Sequence, residues 1–335
     1  MRIIVGKVMK SDDEVILGVD VSGKMLDYRL SGGGKSHSVP NDERGCQQLV
    51  KICRQSQVLK VVCEATGGYE RLLTRTLEQN GIGFSVVNPS KVRNFGRAKG
   101  VMAKTDPIDA KLLRDYGEAL RPARTTLPTE AREVLGKLLT RRSQLVQIQS
   151  IEKNHLKAPL VNDQTLASIQ TLLTTLKAEI RSIEAQITRQ LEATPAFQEK
   201  YALLRTFRGI GPICAAMLIA FVPELGSLTR EKIAALVGVA PYNNESGESQ
   251  GARSIYGGRG DVREVLYMAT LTAARCNMAI KSHYRKFRSR GKKHKVTAVA
   301  CMRKVIVTLN AMLRDGKSWE PLRFSTAKQD YQRAT

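Results

Sequence analysis

The sequence predicts a mixed α/β domain, then a long helical hairpin, then a mainly helical C-terminal domain. Three observations carry that expectation. Apolar runs of strand length crowd residues 14–87 and alternate with helical patterns from Asn41 onward. Residues 163–192 hold helical periodicity without a break. Beyond Tyr201, a glycine turn leads into an apolar helix and later into basic segments. The expected boundaries are residues 12–125, 128–200 and 201–325, with a tail at 326–335.

Glu14 to Ser22 reads as a first strand, Lys24 to Leu30 as a second after a Ser-Gly turn, and Lys35 to Val39 as a third after Gly32-Gly33-Gly34. Gly-Gly-Gly-Lys-Ser superficially suggests a phosphate loop, but Arg29 stands where that motif needs its first glycine, so a hairpin turn is expected. Asn41-Asp42-Glu43 starts a helix to about Gln55, Leu59 to Cys63 forms a buried strand, Tyr69 to Gln79 a helix and Phe84 to Val87 a strand. Asn88-Pro89-Ser90 opens a basic segment to Lys104, and another helix begins at Asp106, with Pro107 at its first turn. Three antiparallel-type strands followed by alternating helices and strands give a mixed sheet.

A proline-rich break over 122–128 ends this region. Thr129 to Lys157 and Asp163 to Glu192 then read as two long helices around Ala158-Pro159. In the second, Leu166, Ile169, Leu173, Leu176, Ile180, Ile183 and Ile187 repeat at alternating spacings of 3 and 4, a coiled-coil seam. That seam suits an oligomerisation arm, a second reading being one intrachain hairpin. Arg208-Gly209-Ile210-Gly211-Pro212 before an apolar helix resembles a helix–hairpin–helix element, in which a glycine turn offers backbone N–H groups to phosphate. Residues 241–260 read as a long polar loop.

The bulk numbers narrow the function. The chain has 335 residues, is 42% apolar, and carries 54 Lys plus Arg against 31 Asp plus Glu, a net charge of +23. Residues 251–304 hold fourteen Lys or Arg and two acids, including Arg253, Arg259, Arg263, Arg288, Arg290, Lys292, Lys293 and Lys295. Such density repels itself unless a polyanion neutralises it, so nucleic acid contact is expected there. The six cysteines lack zinc spacing and read as small core residues; the four histidines lack ligand spacing. No signal peptide pattern and no run of membrane-span length is read, which predicts a cytosolic protein without a membrane partner.

Against that charge, four carboxylates stand out: Asp20 and Glu64 near strand ends, and Asp106 and Asp109 three residues apart at a helix start. A half-buried carboxylate is costly unless something positive neutralises it. Converging carboxylates suit Mg²⁺, one or two ions, for chemistry on nucleic acid phosphates.

Together these pieces resemble the transposases and site-specific recombinases with a DEDD motif and a catalytic serine, to which the Piv-type DNA invertases and the bridge-RNA-guided recombinases of insertion sequences belong. The resemblance spans about residues 14–325. Its four acids fall on Gly-Val-Asp20, Cys-Glu64-Ala-Thr-Gly and Thr-Asp106-Pro-Ile-Asp109-Ala; its C-terminal elements fall on Arg208 to Gly211, Gly238-Val239-Ala240-Pro241 and Glu245-Ser246-Gly247. Arg208 stands where the family usually has proline. Arg263 to Tyr267 and Arg290 to Val296 match its basic helices. The resemblance implies an RNase H-like, RuvC-like N-terminal domain, a serine nucleophile at Ser246 (Ser249 being a nearby second choice), and DNA strand exchange in a homo-oligomer, dimer or tetramer. Donor and target DNA and a structured noncoding RNA are the implied partners, in the bacterial cytoplasm at the nucleoid. A RuvC-like junction-resolving nuclease working without a covalent intermediate is the alternative.

Overall fold

The structure is a computed structural model that describes residues 14–101, 106–157, 162–246 and 249–320, without the side chains of 106–107 and 244–252. The chain divides into two compact units, residues 1–127 and 128–335.

In the first unit, β1 (Ile16–Val21), β2 (Met25–Leu30) and β3 (His37–Pro40) form an antiparallel meander. Helix α1 (Glu43–Gln55) leads to β4 (Lys60–Glu64), and α2 (Arg71–Gln79) to β5 (Phe84–Val87), both strands parallel to β1. The order is β3-β2-β1-β4-β5. Asp42 starts α1 by accepting a hydrogen bond from the Gly45 N–H at 2.7 Å.

Strand alternation sends apolar side chains to both faces. Leu17, Val19, Val21, Val61, Cys63 and Phe84 pack with Cys46, Leu49 and Cys53 of α1 and Leu73 and Leu77 of α2. Ile16 and Val62 face the other way, toward α3 (Pro89–Ala98) and α4 (Asp106–Leu120), against Val92, Leu112, Leu113 and Tyr116. Helix α3 lies where a plain basic segment was expected. Its start was written in Asn88-Pro89, since Asn88 caps the Ser90 N–H, but it buries only Val92 and Gly96, too few to show periodicity.

Glycine sets how closely α4 lies on the sheet. A Cβ on Gly18 would stand 2.3 Å from the Arg114 backbone N and 2.4 Å from the Ala110 carbonyl O. One on Gly117 would stand 2.7 Å from Cγ2 of Ile16 and 2.8 Å from Cγ2 of Val62. The pairing of 110 and 114 with 18, and of 117 with 16, shows that α4 runs antiparallel to β1.

The second unit begins with α5 (Glu130–His155) and α6 (Asp163–Glu192), capped by Thr129 and Asn162. Leu173, Leu176, Ile180 and Ile187 of the predicted seam are buried, Leu176 and Ile180 against Leu145 of α5; Leu166, Ile169 and Ile183 are half-buried. Four of the seven seam positions are thus buried within the chain. Leu135, Leu139, Ile187 and Leu191 at the base of the pair share one core with the later helices: α7 (Pro195–Thr206), α8 (Pro212–Phe221), α9 (Arg230–Val237), α10 (Gly260–Cys276), α11 (Met278–Ser289) and α12 (His294–Asp315).

The long loop expected over 241–260 is instead largely a hairpin, β6 (Pro241–Ser246) with β7 (Ser249–Ile255). No alternating apolar pattern announces it. Tyr242 remains exposed, so burial never had to write one. Against the expectation of no span-length apolar run, α12 is long and apolar enough to cross a membrane, yet Cys301, Met302, Val305, Ile306 and Leu309 bury it in this unit's core. Five cysteines are buried as expected; Cys276 is exposed.

Candidate active site

Asp20 follows Gly18 on the face of β1 that receives α4, and Glu64 follows Val62 on the same face of β4. The ladder pairs Val19 with Cys63, so Asp20 and Glu64 occupy the next step of adjacent parallel strands. Because α4 runs antiparallel to β1, its N-terminus reaches the C-terminal end of both strands. Asp109, one residue before the Ala110 that touches Gly18, therefore lies at that same end. Asp20, Glu64 and Asp109 are each half-buried. Asp106 is the first residue of α4; its side chain is outside the described groups. Among the described residues, no three Asp, Glu, His or Cys side chains are gathered at metal-ligand spacing. The donors are nevertheless all carboxylates, the chemistry a hard cation such as Mg²⁺ takes, so the residues present fit it in kind.

The scaffold around them is built from ion pairs and hydrogen bonds. Lys99 after α3 meets Asp115 of α4 at 2.6 Å, and Arg114 pairs with the same carboxylate. Burial pushes the Asp115 carboxyl up, but the Lys99 and Arg114 partners outweigh it and hold it below the usual range. After β4, the Glu70 Oε2 accepts from the Thr66 N–H (3.1 Å), the Thr66 hydroxyl (3.0 Å) and the Gly68 N–H (2.9 Å). Burial again raises this carboxyl, and these donors with its own N–H bring it below the ordinary value. On β4, burial pushes the Cys63 thiol up to about 12, with Glu70 and Glu64 adding to the effect; it stays a neutral core group. Sequence reasoning missed Glu70. The signal was Thr66-Gly67-Gly68 four to two residues before an acid, a loop in need of a carboxylate acceptor.

In the second unit, Ser246 ends β6 opposite Ser249, which begins β7. The backbone of both is described and their side chains are not; Gly247 lies outside the described residues. The feet of this hairpin are fixed. A Cβ on Gly258 would lie 2.3 Å from the Gly238 N, and the Arg259 N–H bonds the Leu236 carbonyl at 3.0 Å. Arg259 donates twice, at 2.7 Å, to the two Glu224 oxygens. Arg263 donates to the Gly257 carbonyl. These two arginines, expected to contact nucleic acid, brace the hairpin through the half-buried Glu224 carboxylate and the exposed Gly257 carbonyl. Nothing in the sequence marked Glu224 as the partner.

Of the glycine turn, Gly209 (φ +111°) presses its Cα side against Ala273 of α10, and Asn277 donates to the Arg208 carbonyl at 3.4 Å. Gly211 caps α8 without a side-chain acceptor, beside open space, and Arg208 is exposed. Arg253, Arg288, Arg290, Lys292, Lys293 and Lys295 are all exposed, but 290–293 form the turn between α11 and α12, where a basic helix was expected.

Residues 17–162 match the DEDD transposase model of IS110 insertion elements, and residues 201–285 match the model described as Transposase IS116/IS110/IS902 family. The chain belongs to the IS110 family of transposases. It is accordingly an enzyme of DNA recombination, as the DEDD resemblance implied. Pilin gene-inverting proteins of Moraxella bovis and Moraxella lacunata are 23% and 24% identical to it over 323 residues, 91% of this chain and 97% of theirs. An insertion element IS110 protein of 43.6 kDa from Streptomyces coelicolor is 31% identical over 160 residues, 47% of this chain and 38% of that protein. The DEDD match takes in Asp20, Glu64, Asp106 and Asp109. The second match takes in Arg208 to Gly211 and Ser246.

Proposed function

We propose that this transposase cuts and exchanges DNA strands with Asp20, Glu64, Asp106 and Asp109 as ligands for one or two Mg²⁺ ions and Ser246 as nucleophile. The observation that carries the reading is the antiparallel course of α4 over Gly18, which gives three described carboxylates one sheet end and one face. The β3-β2-β1-β4-β5 order, a meander continued by two parallel strands, supports an RNase H-like, RuvC-like domain. Bound there, Mg²⁺ would supply charge neutralisation for the attacking and leaving oxygens. A serine hydroxyl is a weak nucleophile until activated. Attack forms an Oγ–P bond at Ser246 and breaks one bond from phosphorus to a deoxyribose oxygen; the serine releases a proton and the leaving oxygen takes one up. The phosphoserine link keeps the bond energy for rejoining to a new strand.

The exposed basic turn at 290–293, with Arg253, Arg288 and Lys295, provides contacts to nucleic acid backbone. Family membership supports donor and target DNA as substrates and a structured noncoding RNA as guide, with sequence choice left to base pairing. It also supports a homo-oligomer acting in the bacterial cytoplasm at the nucleoid. The test is a suicide DNA substrate with the flanking noncoding RNA supplied, resolved on a denaturing gel. Wild type should give a covalent protein–DNA adduct that Ser246→Ala abolishes. Loss only in Ser249→Ala would move the nucleophile. Metal-dependent cleavage by Ser246→Ala with no adduct in wild type would leave a junction-resolving nuclease.

A further inference from the structure

The loop that follows Glu64 does more than connect a strand to a helix. Glu70 gathers Thr66 and Gly68 into a closed turn with three hydrogen bonds, and Gly67 and Gly68 take φ of +74° and +116°, values that glycine adopts without strain. Asn41 then ties this turn to the first strand, its Nδ2 donating to the Ser22 carbonyl at 2.8 Å and to the Tyr69 carbonyl at 3.1 Å. One of these hydrogen bonds holds the Tyr69 carbonyl itself, and the other four order the turn around it. Its backbone is anchored, yet its side chain is 60% exposed. The ring stands over Gly23, where an added Cβ would lie 3.4 Å from it. Gly23 lies in the turn after β1, three residues beyond Asp20, and Tyr69 in the turn after β4, five beyond Glu64, so the ring stands where the chain leaves the C-terminal ends of the two carboxylate-bearing strands. Arg71, two residues beyond Tyr69, and Lys24, next to Gly23, are both exposed.

An aromatic ring serving the core would be buried. One held rigidly at the surface, on a basic rim, beside carboxylates poised for phosphate chemistry, presents its π-face to a ligand at little entropic cost. In an enzyme that separates DNA strands, the flat partner available is an unstacked base next to the phosphate being cut. We propose that Tyr69 is the stacking platform for an unpaired nucleobase adjacent to the scissile phosphate, seated there by Glu70 and Asn41. This rests on the reading of the acidic sheet end as the cleavage site.

The test uses the full chain and two single-stranded oligonucleotides, one of mixed sequence with 5-iodouracil in place of thymine and one with abasic sites in those positions. Irradiation should cross-link the first to the peptide that contains Tyr69. Tyr69→Ala should bind the base-bearing strand roughly tenfold more weakly, the scale of one lost base–aromatic stack. It should bind the abasic strand as wild type does, and Tyr69→Phe should behave as wild type on both. Tyr69 is exposed, so thermal unfolding should be unchanged in both variants. Equal binding by Tyr69→Ala and wild type would overturn the proposal, as would equal loss on both strands or the same loss in Tyr69→Phe. Metal-dependent nicking by wild type, absent in Asp109→Asn, tests the underlying reading separately.

Discussion

The acidic sheet end and the serine hairpin belong to the same enzyme but are built by opposite means. At the sheet end Asp20 and Glu64 stand on strands, their direction dictated by burial of neighbours on alternate positions, and Asp109 stands on a helix packed across those strands. At the hairpin, two glycines in backbone contact and one arginine–glutamate pair fix its feet, and among the described residues Tyr242 and Arg253 are exposed. The lesson is that a site proposed to need several groups at one point is set on rigid elements, whereas the proposed nucleophile is set on a two-stranded hairpin with a fixed base.

The difference can be broken most severely on the first side. Gly18→Val places carbons into the Arg114 and Ala110 backbone, and overpacking against main chain has no flexible side chain to yield. It should destabilise the first unit by about 3 kcal/mol or more, seen as a lowered thermal transition and loss of nicking. A variant with wild-type stability would mean that α4 does not lie on β1 as described.

Next in size is Ile180→Asp. Because Ile180 is buried against Leu145 and Leu176, a charge there should unfold the α5–α6 pair at a cost of about 3–5 kcal/mol. Circular dichroism should show helix loss even at concentrations where the protein is monomeric. Retained helicity with a lost oligomer would return the seam to an interface between chains.

The hairpin should respond more mildly. Glu224→Gln leaves Arg259 a neutral partner and should cost about 1 kcal/mol, since the pair is one-third exposed. Burial raises the Glu224 carboxyl, and Arg259 more than offsets it, so the folded value lies below the unfolded one. A depressed carboxylate contributes stability above its unfolded pKa and loses it as pH falls through the folded one. Acid unfolding below the ordinary carboxylate range should therefore be less steep in Glu224→Gln. An identical acid limb would mean that the pair contributes nothing.

Smallest is the basic turn. Replacing Lys292, Lys293 and Lys295 with Gln should weaken binding equally across sequences and reduce the salt slope by about 0.9 per lost duplex contact. An unchanged slope would leave those lysines merely solvated.

The same contrast explains what could be read before the structure. Asp20, Glu64, Asp106 and Asp109 were legible because scarce acids stood at strand ends and a helix start in a chain of +23. The end points of α6 and β5 were legible because caps and periodicity agreed there. Helix α3 was not, since it buries too few residues to impose a pattern, and the β6–β7 hairpin was not, since its sequence shows no alternating apolar pattern. Arg259 read as a phosphate contact because its partner, Glu224, lies 35 residues away, a distance that no local spacing reveals. Ser246 was visible only through family resemblance, because a serine at a strand end carries no chemical signature of its own.

Mn²⁺ binding to the full chain, followed by electron paramagnetic resonance, tests the central claim most directly, because it needs no DNA site and no turnover. Wild type should hold one or two ions. Asp20→Asn, Glu64→Gln and Asp109→Asn should each weaken binding by roughly tenfold or more, as expected when a ligand is lost. Asp115→Asn, whose carboxylate is occupied by Lys99 and Arg114, should bind as wild type. Equal Mn²⁺ affinity in all four variants would contradict convergence of these carboxylates on one metal site.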